Sequence, residues 1–299
     1  MRSPIVVSKS RVEPSNIPPT LPMFARNSAI LPLQSSPSLT SFLPPVVIVR
    51  DHDTDATRYG DPVSPSRGEH DVYLEVGTKR VFAGAIGWPG WCRSGRDADA
   101  ALQALVAYAS RYEKVVHDVR PAFRPPGAIG DLHVVERLTG DATTDFGAPS
   151  IAPAVDARAI DAKELDRLES LLRACWSAFD LAAASALGKE LTKGPRGGGR
   201  DLDAIVWHVV NAEVTYAGKL GAGAKRPKMD EDRIAAFRDD VRAVILEALS
   251  RALTDGLPEA GPRGGKMWTP PYFVRRAAWH VADHLWEIQD RSGPAVSTG

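Results

Sequence analysis

From Asp156 onward every strong hydrophobic period in the chain is close to 3.6 residues, and it recurs in four stretches separated by Gly- and Pro-containing breaks. Leu165, Leu168, Leu172, Cys175, Trp176 and Phe179 form the first stripe, and Leu202, Ile205, Val206, Val209 and Ala212 the second. Ile234, Phe237, Val241, Val244, Ile245, Ala248 and Leu249 form the third, and Phe273, Ala277, His280, Val281, His284 and Ile288 the fourth. A helix apolar on one side must bury that side against another element, and four of similar length do so against each other. Residues 156–292 are therefore expected to form an all-α four-helix bundle. Breaks at 194–199, 221–227 and 256–265 separate the helices. Thr269 followed by Pro270 reads as an N-cap and first helical position for the fourth.

The preceding stretch has a different period. Residues 72–76 and 80–86 read as two strands joined by a turn at 77–79, and Gly87, Trp88, Pro89 and Gly90 break the second. From Asp97 the spacing of Ala101, Leu102, Leu105, Val106, Ala109, Tyr112 and Val116 is helical, and residues 131–138 alternate again. The expectation is an α+β module, ββαβ, over residues 70–150. Residues 1–69 hold eleven prolines and eleven serines, with Glu13 the single acidic residue of the first fifty. Such a segment cannot bury enough apolar surface to offset its chain entropy, so it reads as a disordered leader or as the product of a start codon placed upstream of the true one.

Composition narrows the function. Lys plus Arg and Asp plus Glu are both 37, so there is no global cationic field and no nucleic-acid partner is expected. The basic segment 189–200 is Gly-rich and has no interleaved aromatics, which reads as a loop rather than an RNA site. Two cysteines, Cys92 and Cys175, are too few for a disulfide framework and suit a reducing, cytoplasmic setting. No apolar run approaches the roughly 18 to 20 residues that span a bilayer, so no membrane partner is expected. Trp88, Trp91 and Trp268 are candidates for an exposed homodimer contact.

The anomaly lies in the fourth stripe. His280 and His284 are four residues apart and share the face that carries Phe273, Ala277 and Ile288. Two imidazoles on a core face need partners, because an unpaired buried polar group costs about 1 to 3 kcal/mol. A divalent metal is one partner, and ordinary hydrogen-bonded core histidines are the other reading. His208, at the edge of the second stripe, is the best third ligand. Three histidines with an open fourth position would describe a catalytic rather than a structural ion. Zinc and nickel suit such a donor set. Glu213 and Asp283, near the histidines in sequence, read as solvated charges or as outer partners of the site. His52, His70, His117 and His133 read as solvated or local hydrogen-bonders. Cys175 reads as core, and Cys92 has no neighbouring base to make it a nucleophile.

Trp207-His208-Val209-Val210-Asn211-Ala212-Glu213 on the second helix and Trp279-His280-Val281-Ala282-Asp283-His284-Leu285 on the fourth together resemble the DinB/YfiT-like superfamily. The resemblance covers residues 156–291. It implies a four-helix bundle with metal ligands His208, His280 and His284, and chemistry in which a low-molecular-weight thiol is a cosubstrate for transfer or isomerisation of a small-molecule substrate. Residues 71–111, with Trp88-Pro89-Gly90-Trp91-Cys92-Arg93-Ser94-Gly95 before an acidic helix start, are similar to HicB-like antitoxin domains. That implies a gating, dimerising or partner-binding role. Two functions follow: a metal-dependent enzyme with an activated thiol or water as nucleophile, or a non-enzymatic regulatory or interaction protein that keeps a structural or vestigial ion.

Overall fold

A computed structural model describes residues 69–193, 199–223, 234–261 and 265–293. The leader expected over 1–69 lies outside them except for Glu69. So do His52, most of the 194–199 break and part of the 221–227 and 256–265 breaks.

The chain is an α+β protein whose C-terminal part is helical. Four strands, β1 (His70–Val76), β2 (Val81–Ala85), β3 (Cys92–Gly95) and β4 (Leu132–Thr139), form one mixed sheet in the order β3-β2-β1-β4. β1 pairs antiparallel with β2 and parallel with β4, which is possible because α1 (Ala98–Val115) carries the chain from β3 across to the far edge. The expected ββαβ order thus gains a strand. Residues 87–91 do not end the sheet but turn the chain back, with Trp91 N–H donating to the Trp88 carbonyl, so that Cys92–Gly95 pairs with β2. Asp97 caps α1 by accepting from the Ala100 N–H at 2.8 Å.

The 140–153 connection contains a short helix, α2 (Ala142–Phe146), and is tied to the sheet by Glu75. That buried carboxylate accepts from Thr144 Oγ1 at 2.5 Å and from the Ser150 and Ile151 N–H groups at 2.9 and 3.2 Å. Four long helices follow: α3 (Ala162–Ala186), α4 (Leu202–Ala217), α5 (Ile234–Thr254) and α6 (Pro270–Ser292). α6 starts as its sequence predicts, with Thr269 at the N-cap and Pro270 first. It is the most enclosed of the four, because it packs on α3 and α4 and also lies against the sheet, where Trp279 meets Phe82 edge-to-face at 5.9 Å. Buried residues of the sheet, α1 and the four helices belong to one continuous core.

Arg275 locks this junction. Its guanidinium grips Asp156 with two 2.7 Å hydrogen bonds and donates to the carbonyls of Ala85 and Ile86 at the end of β2. Gly90 sits where Tyr112 of α1, Cys175 of α3 and Ala278 of α6 converge, at φ +99°, a conformation natural only to glycine. Two of the three tryptophans expected as a surface contact are buried. Trp91 is fully buried, stacked on Tyr112 with its Nε1–H donating to the Leu105 carbonyl at 2.9 Å, and Trp88 is buried beside Phe123. Trp268 is half-buried. Of the two readings of His70 the hydrogen-bonded one holds: it is buried, bonds the Arg124 carbonyl at 2.8 Å and stacks on Phe123. No helix among the described residues is long and apolar enough to cross a membrane.

Candidate metal centre

α4 and α6 bring His208, His280 and His284 together. The spacing of four on α6 stacks His280 above His284, with ring centroids 4.7 Å apart, and His208 reaches across from α4 to within 5.0 Å of the first and 4.9 Å of the second. One nitrogen from each ring lies within 4.8 Å of the others, close enough to hold a metal ion. Tetrahedral bonds of about 2.05 Å set ligand nitrogens about 3.3 Å apart, and the His208 and His280 Nε2 atoms are 3.2 Å apart. Two imidazole nitrogens at that separation share either one proton or one cation. The remaining nitrogen of His280, Nδ1, is buried without a hydrogen-bond partner.

The electrostatics keep lone pairs available. Burial, helped by the neighbouring His284, pushes His208 down to about 4. Burial, then the two other histidines, holds His280 well below the ordinary histidine value. Neutral imidazole is the form that binds a metal. His284 is oriented from behind: its Nδ1 lies 2.7 Å from Glu287 Oε2, and a carboxylate only accepts, so Nδ1 carries the proton and Nε2 is left for the triad. The bond to His284 is the main cause that holds the Glu287 carboxyl below its usual range. Arg291 donates to the other Glu287 oxygen at 2.6 Å and also to the carbonyls of Thr192 and Arg200, pinning the chain that leads into α4. Glu287 and Arg291 were not anticipated, although Glu287 is one helical turn from His284 and legible by that spacing.

Other sequence candidates are placed apart from the triad. Glu213 is neither solvated nor beside the histidines: five residues past His208 it is turned about 140° around α4. It is buried against α3 and α5, its Oε2 3.6 Å from Arg242 Nε. Burial pushes its carboxyl up to about 7, opposed by Arg242. Arg242 also holds Asp180 at 2.7 Å, and these two with Trp176 and Arg238 line an open groove of 760 Å³ between α3 and α5 that includes none of the histidines. Asp283 is tied to Arg93 of β3 at 2.8 Å rather than standing free in solvent. Cys175 is plain core, and burial raises both cysteine thiols to about 12, which makes them poor nucleophiles. His117 and His133 are exposed.

Comparison with known proteins finds no matching family model, no matching curated protein and no matching solved structure.

Proposed function

We propose that this chain is a DinB-like metal-binding protein that acts as a metal-dependent enzyme, a thiol-dependent transferase or isomerase of a small-molecule substrate. The observation that carries the reading is the convergence of three imidazoles from two helices, two kept neutral by their surroundings and the third oriented by a carboxylate. Zinc and nickel are the first ions to consider for an all-imidazole set. Three protein ligands leave a tetrahedral ion one open position, and an ion so held supplies the Lewis acidity that brings a thiol or water toward ionisation near neutral pH.

The chain's own residues shape what reaches that position. His280 and His284 are buried and His208 is half-buried, so approach is from the α4 side. Tyr216 and Trp268, 5.1 Å apart, give an apolar wall beside His280. Four long helices are what the DinB resemblance implies, and a sheet module that meets α6 through Phe82 and Trp279 fits the gating or protein-contact role that the HicB resemblance implies. A cytoplasmic setting, with a small cellular thiol at hand, goes with this reading.

Purified wild-type protein dialysed against Zn²⁺ or Ni²⁺ should retain a stoichiometric ion by elemental analysis, and His208→Ala, His280→Ala and His284→Ala should each lose it. A wild-type protein without stoichiometric metal defeats the proposal. Turnover screening with low-molecular-weight thiols tests the chemistry. Uniformly null turnover in a protein that keeps its ion favours the interaction protein with a structural metal.

A further inference from the structure

The histidine site continues toward the start of α6 as a layer of aromatic and cationic side chains. Arg276 stands four residues before His280, on the same face. Tyr216 stands eight residues after His208 on α4, two turns on and about 80° around the helix, and still faces His280. The two meet across the helix pair: the Arg276 guanidinium is 5.7 Å from the Tyr216 ring centroid, and that ring is 5.8 Å from the His280 ring. Trp279 flanks both, 4.6 Å from the guanidinium and 6.1 Å from the imidazole.

Arg276 is the unusual member. Arg275 and Arg242, which are buried, each hold a carboxylate, whereas Arg276 is half-buried. Among the described residues Arg276 has no ion pair, and its Nη1 is buried without a hydrogen-bond partner. The aromatic faces attract the cation but accept no hydrogen bond in the guanidinium plane. Leaving a guanidinium partly desolvated without an anion is unfavourable, so its partner should come from outside the described residues.

The charge around the triad points the same way. Three imidazoles bring no negative charge to a divalent ion. Among the described residues the carboxylate that touches the triad is Glu287, and it is shared with Arg291. Arg276 and Arg200 both add positive potential at His280. A ligand that reaches this centre therefore gains by being an anion.

We infer that Arg276 anchors the carboxylate of a small organic anion whose other end reaches the His208, His280 and His284 centre, with its body against Tyr216 and Trp268. The planar guanidinium fork matches a carboxylate with two parallel hydrogen bonds, which is why arginine rather than lysine suits the position. The inference rests on the metal-centre reading above and names the substrate class for it.

The test uses full-length protein loaded with Co²⁺, whose visible absorption reports on its ligands. Mercaptoacetate carries a thiol and a carboxylate; 2-mercaptoethanol carries a thiol and no charge. Wild type should bind mercaptoacetate more tightly than 2-mercaptoethanol. Arg276→Gln should weaken mercaptoacetate about 10- to 100-fold, the range expected for losing a charge-assisted hydrogen bond, while Co²⁺ content and 2-mercaptoethanol binding stay unchanged. Arg276→Lys should fall between, and serves as the second variant if the glutamine protein folds poorly. Equal losses for the two thiols, no loss for either, or no spectral change with mercaptoacetate would overturn the anchor while leaving the metal centre standing. A wild-type protein that takes up no Co²⁺ would overturn the centre and the anchor together.

Discussion

Glu287 decides which nitrogen His284 can offer. With the proton held on Nδ1 by a 2.7 Å bond, Nε2 is turned toward His208 and His280 without the ring having to search for its tautomer. Glu287→Gln should keep the fold, since Arg291 retains its bonds to Thr192 and Arg200, yet lower metal affinity about 10- to 100-fold in a competitive chelator titration. An unchanged affinity would mean that His284 is oriented by packing alone. The triad was readable in the sequence because an imidazole pair four apart on an otherwise apolar helical face is a costly arrangement that needs a partner. Glu213 was equally readable and was misassigned: Ile205, Val209 and Glu213 fall on one row at intervals of four, which places the carboxylate on the buried stripe of α4. Trp91 could not be placed this way. Its burial depends on the Leu105 carbonyl that receives its Nε1–H, a partner supplied by another element.

Elements declare themselves in sequence to the degree that their signals are local. The four helical stripes, α1 with its Asp97 cap and β4 with its alternation all carry periodic signals of their own. β3 carries none: Cys92, Arg93, Ser94 and Gly95 have no alternation, and the strand exists because the exposed edge of β2 offers it hydrogen bonds. The tie between sheet and helices is likewise non-local, and it makes two predictions. Arg275→Met removes the guanidinium and leaves Asp156, 2% exposed, without its cation. Breaking a buried pair in this way costs about 3 to 5 kcal/mol, so the denaturant midpoint should fall sharply, and Asp156→Asn in the same chain should recover part of the loss. At the convergence of α1, α3 and α6, Gly90→Ala puts a Cβ 3.3 Å from the Tyr112 ring, Cys175 Sγ and Ala278 Cβ at positive φ. A loss of about 1 to 3 kcal/mol should follow from strain at that φ, read by the same measurement.

At the scale of the whole molecule, two buried sites pull the pH dependence of folding in opposite directions. The Glu213 carboxyl, pushed up from 4.5 to about 7 by burial, keeps its proton in the folded protein when the unfolded chain has lost it. Its contribution to stability is therefore fully present below about 4.5 and lost as pH rises through about 7. His208, pushed down from 6.5 to about 4, does the reverse in metal-free protein: the unfolded chain binds the proton first, so stability rises with pH between about 4 and 6.5, and His280 acts in the same sense. The two slopes oppose each other in mild acid, and only the Glu213 slope persists above about 6.5. Glu213→Gln isolates it, because glutamine keeps the shape and cannot ionise. With chelator present, urea unfolding at pH 5 should find the variant close to wild type, and at pH 8 more stable by on the order of 3 kcal/mol at most, the free energy of a shift of this size. Coincident profiles for the two proteins would show that Arg242 holds Glu213 ionised throughout. Saturating Zn²⁺ should then raise wild type and variant equally at pH 8, since the ion acts on α4 and α6 through the histidines and Glu213 faces away from them toward α3 and α5.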